Sequence, residues 1–152
     1  MQPKIQEGNL IELAKQGKYD LIIQGCNCYC NMGKGIALEI KNTWPEAYEA
    51  DLLTTKKDKS KLGTCSYAQI GNLTIANAYT QYKYWNKGKM CANYLAIESC
   101  MKEIKSKYGG KGLKIAYPLI GAGLAKGDWN IIYPLITNAL YGEDQTLILY
   151  KD

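Results

Sequence analysis

Cys26-Asn27-Cys28-Tyr29-Cys30-Asn31-Met32-Gly33-Lys34-Gly35-Ile36-Ala37 is the stretch on which the reading of this chain turns. An apolar run, Leu21-Ile22-Ile23, leads into it, and a helical pattern, Ile36-Ala37-Leu38-Glu39-Ile40, leads out. A buried strand that passes through a glycine-bearing loop into a helix start has a physical use. Glycine lets the backbone come close to a ligand. The first N–H groups of a helix have no partner inside it and point at whatever lies there. Such a site favours anions, phosphate above all.

Outward from this stretch, strands and helices alternate. Residues 4–7 alternate in polarity and read as a short edge strand, and 10–16 as a helix stopped by Gly17. Residues 20–24 form the first buried strand. Helices are expected over 36–43 and 46–53, divided at Pro45, because the residue before a proline avoids the helical region. Residues 54–61 are polar and rich in lysine, an exposed connection. Strands at 63–70 and 73–79 flank Gly71-Asn72 and predict an antiparallel hairpin. Residues 80–89 read as a loop with Tyr82, Tyr84 and Trp85 partly exposed. A long helix is expected over 90–107, with Leu95, Ile97, Met101, Ile104 and Tyr108 inward and Gly109-Gly110 as its stop. A strand at 113–117, a second glycine loop at 118–127, a helix at 129–140 capped by Asp128, and a strand at 146–150 complete the order. The pattern predicts an α/β chain with a central mixed sheet covered by helices on both faces.

At 152 residues the chain suits one domain over 1–152 with a proper core. No apolar run nears the ~20 residues of a membrane span. Met1-Gln2-Pro3-Lys4 begins no secretory signal, so a cytoplasmic location and no membrane contact are expected. The net charge of +5 comes from scattered lysines, densest at Lys56, Lys57 and Lys61 and from Lys83 to Lys89. They form no arginine-rich or aromatic-interleaved motif in the sequence and read as a solvated surface. Histidine is absent, which excludes imidazole as base, nucleophile or metal ligand. Six cysteines without a secretion signal are not a disulfide framework. Cys26, Cys28 and Cys30 would share one side of a strand, but no histidine or Cys-x-x-Cys pair completes a zinc set. No metal and no cofactor are expected.

The second loop, Ile120-Gly121-Ala122-Gly123-Leu124, repeats the logic of the first. Ligands of open α/β sheets bind beyond the carboxyl ends of the strands, where such loops gather. Two facing loops with free backbone N–H groups would clamp a diphosphate. Neither is a Walker loop or a full dinucleotide fingerprint.

These features together resemble a macrodomain, the ADP-ribose-binding α/β/α module, over essentially the whole length. The marks are Gly8-Asn9-Leu10, Asn27 upstream of Met32-Gly33-Lys34-Gly35-Ile36-Ala37, Asn77 to Thr80 at the end of a middle strand, and Pro118 to Trp129. The resemblance implies a three-layer α/β/α sandwich that acts as a monomer. It also implies that Asn9 and Leu10 lie near the adenine and that Asn27 bonds the distal ribose. Gly33 to Ile36 and Gly121 to Leu124 would hold the diphosphate. Met32, Lys34, Ala37, Thr80 and Ile120 fall within the matching motifs and are expected at the ligand.

Within that family the chain is similar to the branch of yeast-type ADP-ribose-1″-phosphate phosphatases, terminal ADP-ribose protein glycohydrolases and DNA-ADP-ribose hydrolase antitoxins. Its Cys26-Asn27-Cys28 segment resembles the phosphatases most. There are departures. Gln24 stands where the yeast-type phosphatase has histidine, and is carried as a ligand-contact position. Gln81 replaces the glycohydrolase lysine, so no Schiff base can form there. Ala125 replaces that branch's aspartate. Asn27 and Asp128 are the candidate catalytic residues.

Three functions follow: a phosphatase on ADP-ribose-1″-phosphate, a hydrolase of ADP-ribose linked to protein, nucleic acid or an acyl ester, and a non-catalytic reader. The partners are ADP-ribose or its 1″-phosphate, and ADP-ribosylated macromolecules. The segment from Tyr82 to Trp85 reads either as a lid or contact for a larger substrate, or as surface packing.

Overall fold

The computed structural model describes residues 1–152. The order is β1 (Lys4–Gly8), α1 (Leu10–Lys15), β2 (Leu21–Asn27), α2 (Gly35–Thr43), α3 (Pro45–Leu52), a 3-10 turn (Lys59–Lys61), β3 (Cys65–Ile70), β4 (Leu73–Gln81), α4 (Tyr94–Tyr108), β5 (Lys114–Tyr117), α5 (Trp129–Ala139) and β6 (Asp144–Tyr150). All six strands form one sheet in the order β1-β6-β5-β2-β4-β3. Every neighbouring pair is parallel except β3 and β4, the expected hairpin, which turns at Gly71-Asn72 between Ile70 and Leu73. β1 is an edge strand, as its short alternating sequence suggests.

Alternation along β2 builds both cores at once, because successive strand side chains point to opposite faces. Leu21 and Ile23 pack with Ile97, Met101 and Ile104 of α4 and Ile132 and Ile136 of α5. Ile22, from the other face, packs with Leu10, Ile11 and Ala14 of α1, Ile40 of α2 and Ala47 of α3. The result is the three-layer α/β/α sandwich, with α1 to α3 on one face and α4 and α5 on the other.

Several expectations need correction. α4 begins at Tyr94, not at residue 90, because the Asn93 side chain caps it by accepting the Ala96 N–H at 3.0 Å. Leu95 is 81% exposed. At about 100° per residue it stands roughly 200° from Ile97 and cannot share its face. β4 runs on through Gln81, so Thr80 is a buried strand residue rather than the start of a loop. β2 stops at Asn27, and Cys30 has φ +56°, so the strand period does not carry through to Cys30. Cys26 and Cys28 are buried with Met32 and Tyr79 in a small third cluster. Lys61 falls in the stretch 54–61 that the sequence reads as an exposed connection. It is buried, with its ammonium 3.3 Å from the Cys28 carbonyl and 4.6 Å from the centre of the Tyr79 ring.

Candidate functional site

β2 lies between β5 and β4 in the sheet. The chain leaves β2 for β4 by way of α2, α3 and the hairpin, and returns from β4 to β5 by way of α4. The connections run in opposite directions and on opposite faces, so a crevice opens beyond the carboxyl ends of β2 and β5. Residues 28–34 follow β2 and residues 118–128 follow β5. These are the two glycine loops.

The loops face each other across this crevice: a Cβ placed on Gly35 would stand 3.5 Å from Leu124 Cδ1. Gly35 has φ +59° and opens α2. Three of the other helix starts contrast with it, while α3, opened by Pro45, also lacks a side-chain cap. Asn9, Asn93 and Asp128 each accept an N–H at the start of α1, α4 and α5. The N-cap of α2 is Lys34, which makes no side-chain capping bond. No backbone group of the chain takes the N–H of Gly35, Ile36 or Ala37, nor that of Gly123 or Leu124. Gly33, Lys34, Gly35, Gly123 and Leu124 are exposed. Two rows of free donors and one lysine therefore border a single opening, which is the chemistry of an anion site.

The second loop is shaped by close packing. Gly127 N–H donates to the Gly121 carbonyl at 2.6 Å. A Cβ on Gly127 would lie 2.5 Å from that oxygen, a contact no side chain tolerates. The loop is also fastened to the segment before α4, through Cys91 N–H to the Ala125 carbonyl at 2.9 Å and the Lys126 ammonium to the Gly88 carbonyl at 2.8 Å. Ile120 is buried, and Ala122 is half-buried beside it.

Asn27 holds the first loop in shape. Its amide donates to the Asn31 carbonyl at 2.7 Å, and its oxygen accepts from Tyr29 N–H at 2.9 Å and Asn31 N–H at 3.3 Å. One amide hydrogen is left for a ligand. Asp128 is exposed, and one of its oxygens accepts Asn130 N–H at 2.9 Å as the cap of α5. Asn9 accepts Ile11 N–H at 3.1 Å and Glu12 N–H at 3.2 Å, while the Leu10 side chain turns into the core. Met32 is buried under the first loop.

Gln24 is wholly buried. It donates to Asn77 Oδ1 at 2.9 Å across the β2–β4 pair and approaches Met32 Sδ at 4.0 Å. Asn77 continues to the Ala47 carbonyl at 2.9 Å and Ser66 Oγ at 3.1 Å. Ser66 meets Tyr79 Oη at 2.9 Å, and Tyr79 donates to Asp51 Oδ1 at 2.7 Å. This chain of polar groups, unread in the sequence, ties α3 to the sheet just beneath the first loop. Burial pushes the Asp51 carboxyl above its ordinary value, against the Tyr79 hydrogen bond and the Lys61 charge. Burial likewise raises the Cys28 thiol to about 11, so it stays protonated.

Residues 23–136 match the family model of the Macro domain. The chain belongs to the macrodomain family. A 17.5 kDa protein of enterobacteria phage T4, from its tk-vs intergenic region, is 35% identical over 136 residues, covering 85% of this macrodomain and 84% of the phage protein. The macrodomain of Thermus aquaticus DarG superposes with a TM-score of 0.78 at 21% identity, over 99% of each chain. Thermosipho africanus DarTG, solved in complex with ADP-ribose, gives a TM-score of 0.71 at 22% identity, over 87% of this chain and 38% of that one. No helix of the chain is long and apolar enough to cross a membrane.

Proposed function

We propose that this macrodomain, acting as one domain over residues 1–152, binds ADP-ribose with its diphosphate between the two glycine loops. The observation that carries the reading is the uncapped start of α2 facing Leu124, with free N–H donors on both loops. Gly33 to Ile36 and Gly121 to Leu124 take the diphosphate oxygens, and Lys34 adds positive charge. Asn9 and Leu10, at the end of β1, border the adenine. Asn27 offers its remaining amide hydrogen to the distal ribose. Met32, Ala37, Thr80 and Ile120 form the floor, and Gln24 acts from beneath by fixing Met32.

The activity that fits this binding is hydrolysis at the distal ribose, with the 1″-phosphate monoester as substrate. Without histidine the nucleophile is water. Asp128, whose second carboxylate oxygen makes no bond within the chain, is the group to orient it. The backbone donors stabilise charge on the phosphoryl oxygens, which needs no covalent step. ADP-ribose carried on a macromolecule is the alternative substrate for the same water. A non-catalytic reader is the second reading. It is favoured by the engagement of Asn27 in its own loop and of Asp128 as a helix cap.

Calorimetric titration with ADP-ribose tests the binding claim. The expected result is one saturable site that Leu124→Asp weakens at least tenfold by placing a carboxylate against the diphosphate. No heat with the wild-type protein overturns the reading.

A further inference from the structure

The largest lysine cluster of the sequence does not simply face solvent. A pocket of about 400 Å³ lies against the first loop, walled by Tyr29, Tyr48, Tyr84, Lys41, Lys56 and Lys57, with Asn31 to Gly33 as its shared edge. No carboxylate lines it, and no residue of the second loop does. Four separate segments meet here, which is why no interleaved motif is visible along the chain.

The walls are fastened to one another. Lys57 N–H donates to the Cys28 carbonyl at 2.7 Å, Cys28 N–H donates to the Tyr82 carbonyl at 2.9 Å, and Tyr82 Oη donates to the Lys57 carbonyl at 3.1 Å. Lys57 is held at φ +62°, in the left-handed region that costs a side-chain-bearing residue energy. This closed circuit builds a fixed pocket from what would otherwise be surface lysines.

Within it aromatic rings and ammonium groups alternate. Lys41 lies 4.2 Å from the centre of the Tyr48 ring and Lys57 5.5 Å from that of Tyr29; outside the lining, Lys59 lies 5.1 Å from the centre of the Tyr82 ring. Tyr29 meets Tyr82 and Tyr84 edge-on, at 5.2 and 5.7 Å between centres. Tyr84 and Trp85, 55% and 63% exposed, extend the aromatic surface outward.

We propose that this pocket binds single-stranded nucleic acid. Bases stack on the tyrosine faces, which accept any base, and the lysines swing from the rings to the phosphates. Two lysine–tyrosine pairs in the pocket, with Lys56 and Tyr84 beside them and the Lys59–Tyr82 pair just outside, fit a run of nucleotides rather than one. A phosphopeptide is the poorer occupant, because planar, two-point phosphate recognition uses arginine and this chain has none. The inference is independent of the ADP-ribose reading, since the strand needs no ADP-ribose and touches only one loop.

The test is fluorescence anisotropy with an unmodified, labelled twelve-nucleotide oligothymidylate at low salt, on the full chain. Three phosphate contacts predict that log K falls with log salt at a slope of about −2. Tyr84→Ala, at an exposed ring, is expected to weaken binding about tenfold at an unchanged slope. The triple variant K41Q/K56Q/K57Q is expected to lose both affinity and most of the slope. K15Q/K102Q/K151Q, which removes the same charge elsewhere on the surface, is expected to leave affinity within twofold. Saturating ADP-ribose and thymidine monophosphate should not displace the oligonucleotide. The proposal is overturned by absence of binding, by equal loss in the two triple variants, by indifference to Tyr84→Ala, or by displacement with ADP-ribose or the mononucleotide.

Discussion

Leu124 Cδ1 stands 3.5 Å from the point where a side chain on Gly35 would begin, and the Gly35 backbone is at φ +59°. A Cβ there would meet the second loop at ordinary van der Waals distance, so the positive φ is what favours glycine and anything larger than a methyl would press on Leu124. Gly35→Ala is expected to cost about 1 kcal/mol from the left-handed backbone alone. Gly35→Val adds a branched side chain against Leu124 and should weaken ADP-ribose binding at least tenfold. Urea unfolding and calorimetry read the two effects separately.

Gly127 and Gly123 lie in the same loop and should answer oppositely to alanine. At Gly127 a Cβ meets the Gly121 carbonyl at 2.5 Å and Ile132 Cδ1 at 2.7 Å. Overpacking of this kind costs about 1–3 kcal/mol. At Gly123 nothing lies within 4 Å, and the substitution should leave the unfolding midpoint within experimental error. A Gly127→Ala protein as stable as the wild type would mean that the loop is not built on this contact.

Asn27→Ala removes three hydrogen bonds that fix residues 27–31. Loss of these partners predicts a stability decrease of about 1–3 kcal/mol. Hydrogen exchange should show faster exchange at the Tyr29 and Asn31 amides than in the wild type, with β2 and β4 still protected. Turnover of ADP-ribose-1″-phosphate should fall further than binding does.

Asp51 gives the chain an acid-side stability dependence of unusual sign. Its folded carboxyl is raised above the ordinary 3.8, mainly by burial. Between that value and the raised one the folded state holds more protons than the unfolded state, so this residue's contribution to stability falls as pH rises through the window. Asp51→Asn removes the penalty and keeps an acceptor for Tyr79. Its stability relative to wild type should therefore improve as pH increases from about 4 to neutrality. A difference that is flat with pH would contradict the assignment.

Lys61→Met should destabilise the fold by about 1–3 kcal/mol in urea unfolding, although it lies in the most lysine-rich part of the chain. The bond to the Cys28 carbonyl is lost, and the buried Asp51 carboxylate loses its nearby positive charge. Lys59→Met, exposed and two residues away in the same turn, should change stability by no more than about 0.5 kcal/mol.

The parts of the fold read from sequence are those where local chemistry and burial agree. Leu21 to Ile23 is buried on both faces and shows as an unbroken apolar run. Pro45 divides α2 from α3 because it restricts the residue before it, and Gly71-Asn72 makes the hairpin because glycine admits the positive φ of the turn. The helix register of α4 is legible from Ile97 onward, but the expected start at residue 90 lies before the true cap at Asn93, and Leu95, inside the helix, faces solvent. What the sequence hides is side chains that meet only through the sheet. Gln24, Asn77, Ser66, Tyr79 and Asp51 are polar residues on four elements, and nothing in their spacing marks them as one network. Lys61 hides among exposed lysines for the same reason. At the candidate site the glycine loops were visible, as was the Asp128 cap. The need for glycine at Gly127 was not, since it arises from the Gly121 carbonyl folding back onto it. The free donors of α2 are distinguishable only in the structure, where α1, α4 and α5 are capped by side chains and α3 opens on Pro45.

Phosphorus NMR of ADP-ribose-1″-phosphate, with and without the protein, tests the central claim most directly. The account predicts that both diphosphate resonances shift or broaden on binding, and that the monoester signal declines as free phosphate appears. A perturbed diphosphate with an intact monoester would keep the clamp and contradict the phosphatase. Diphosphate signals indifferent to the protein would contradict the two-loop site itself.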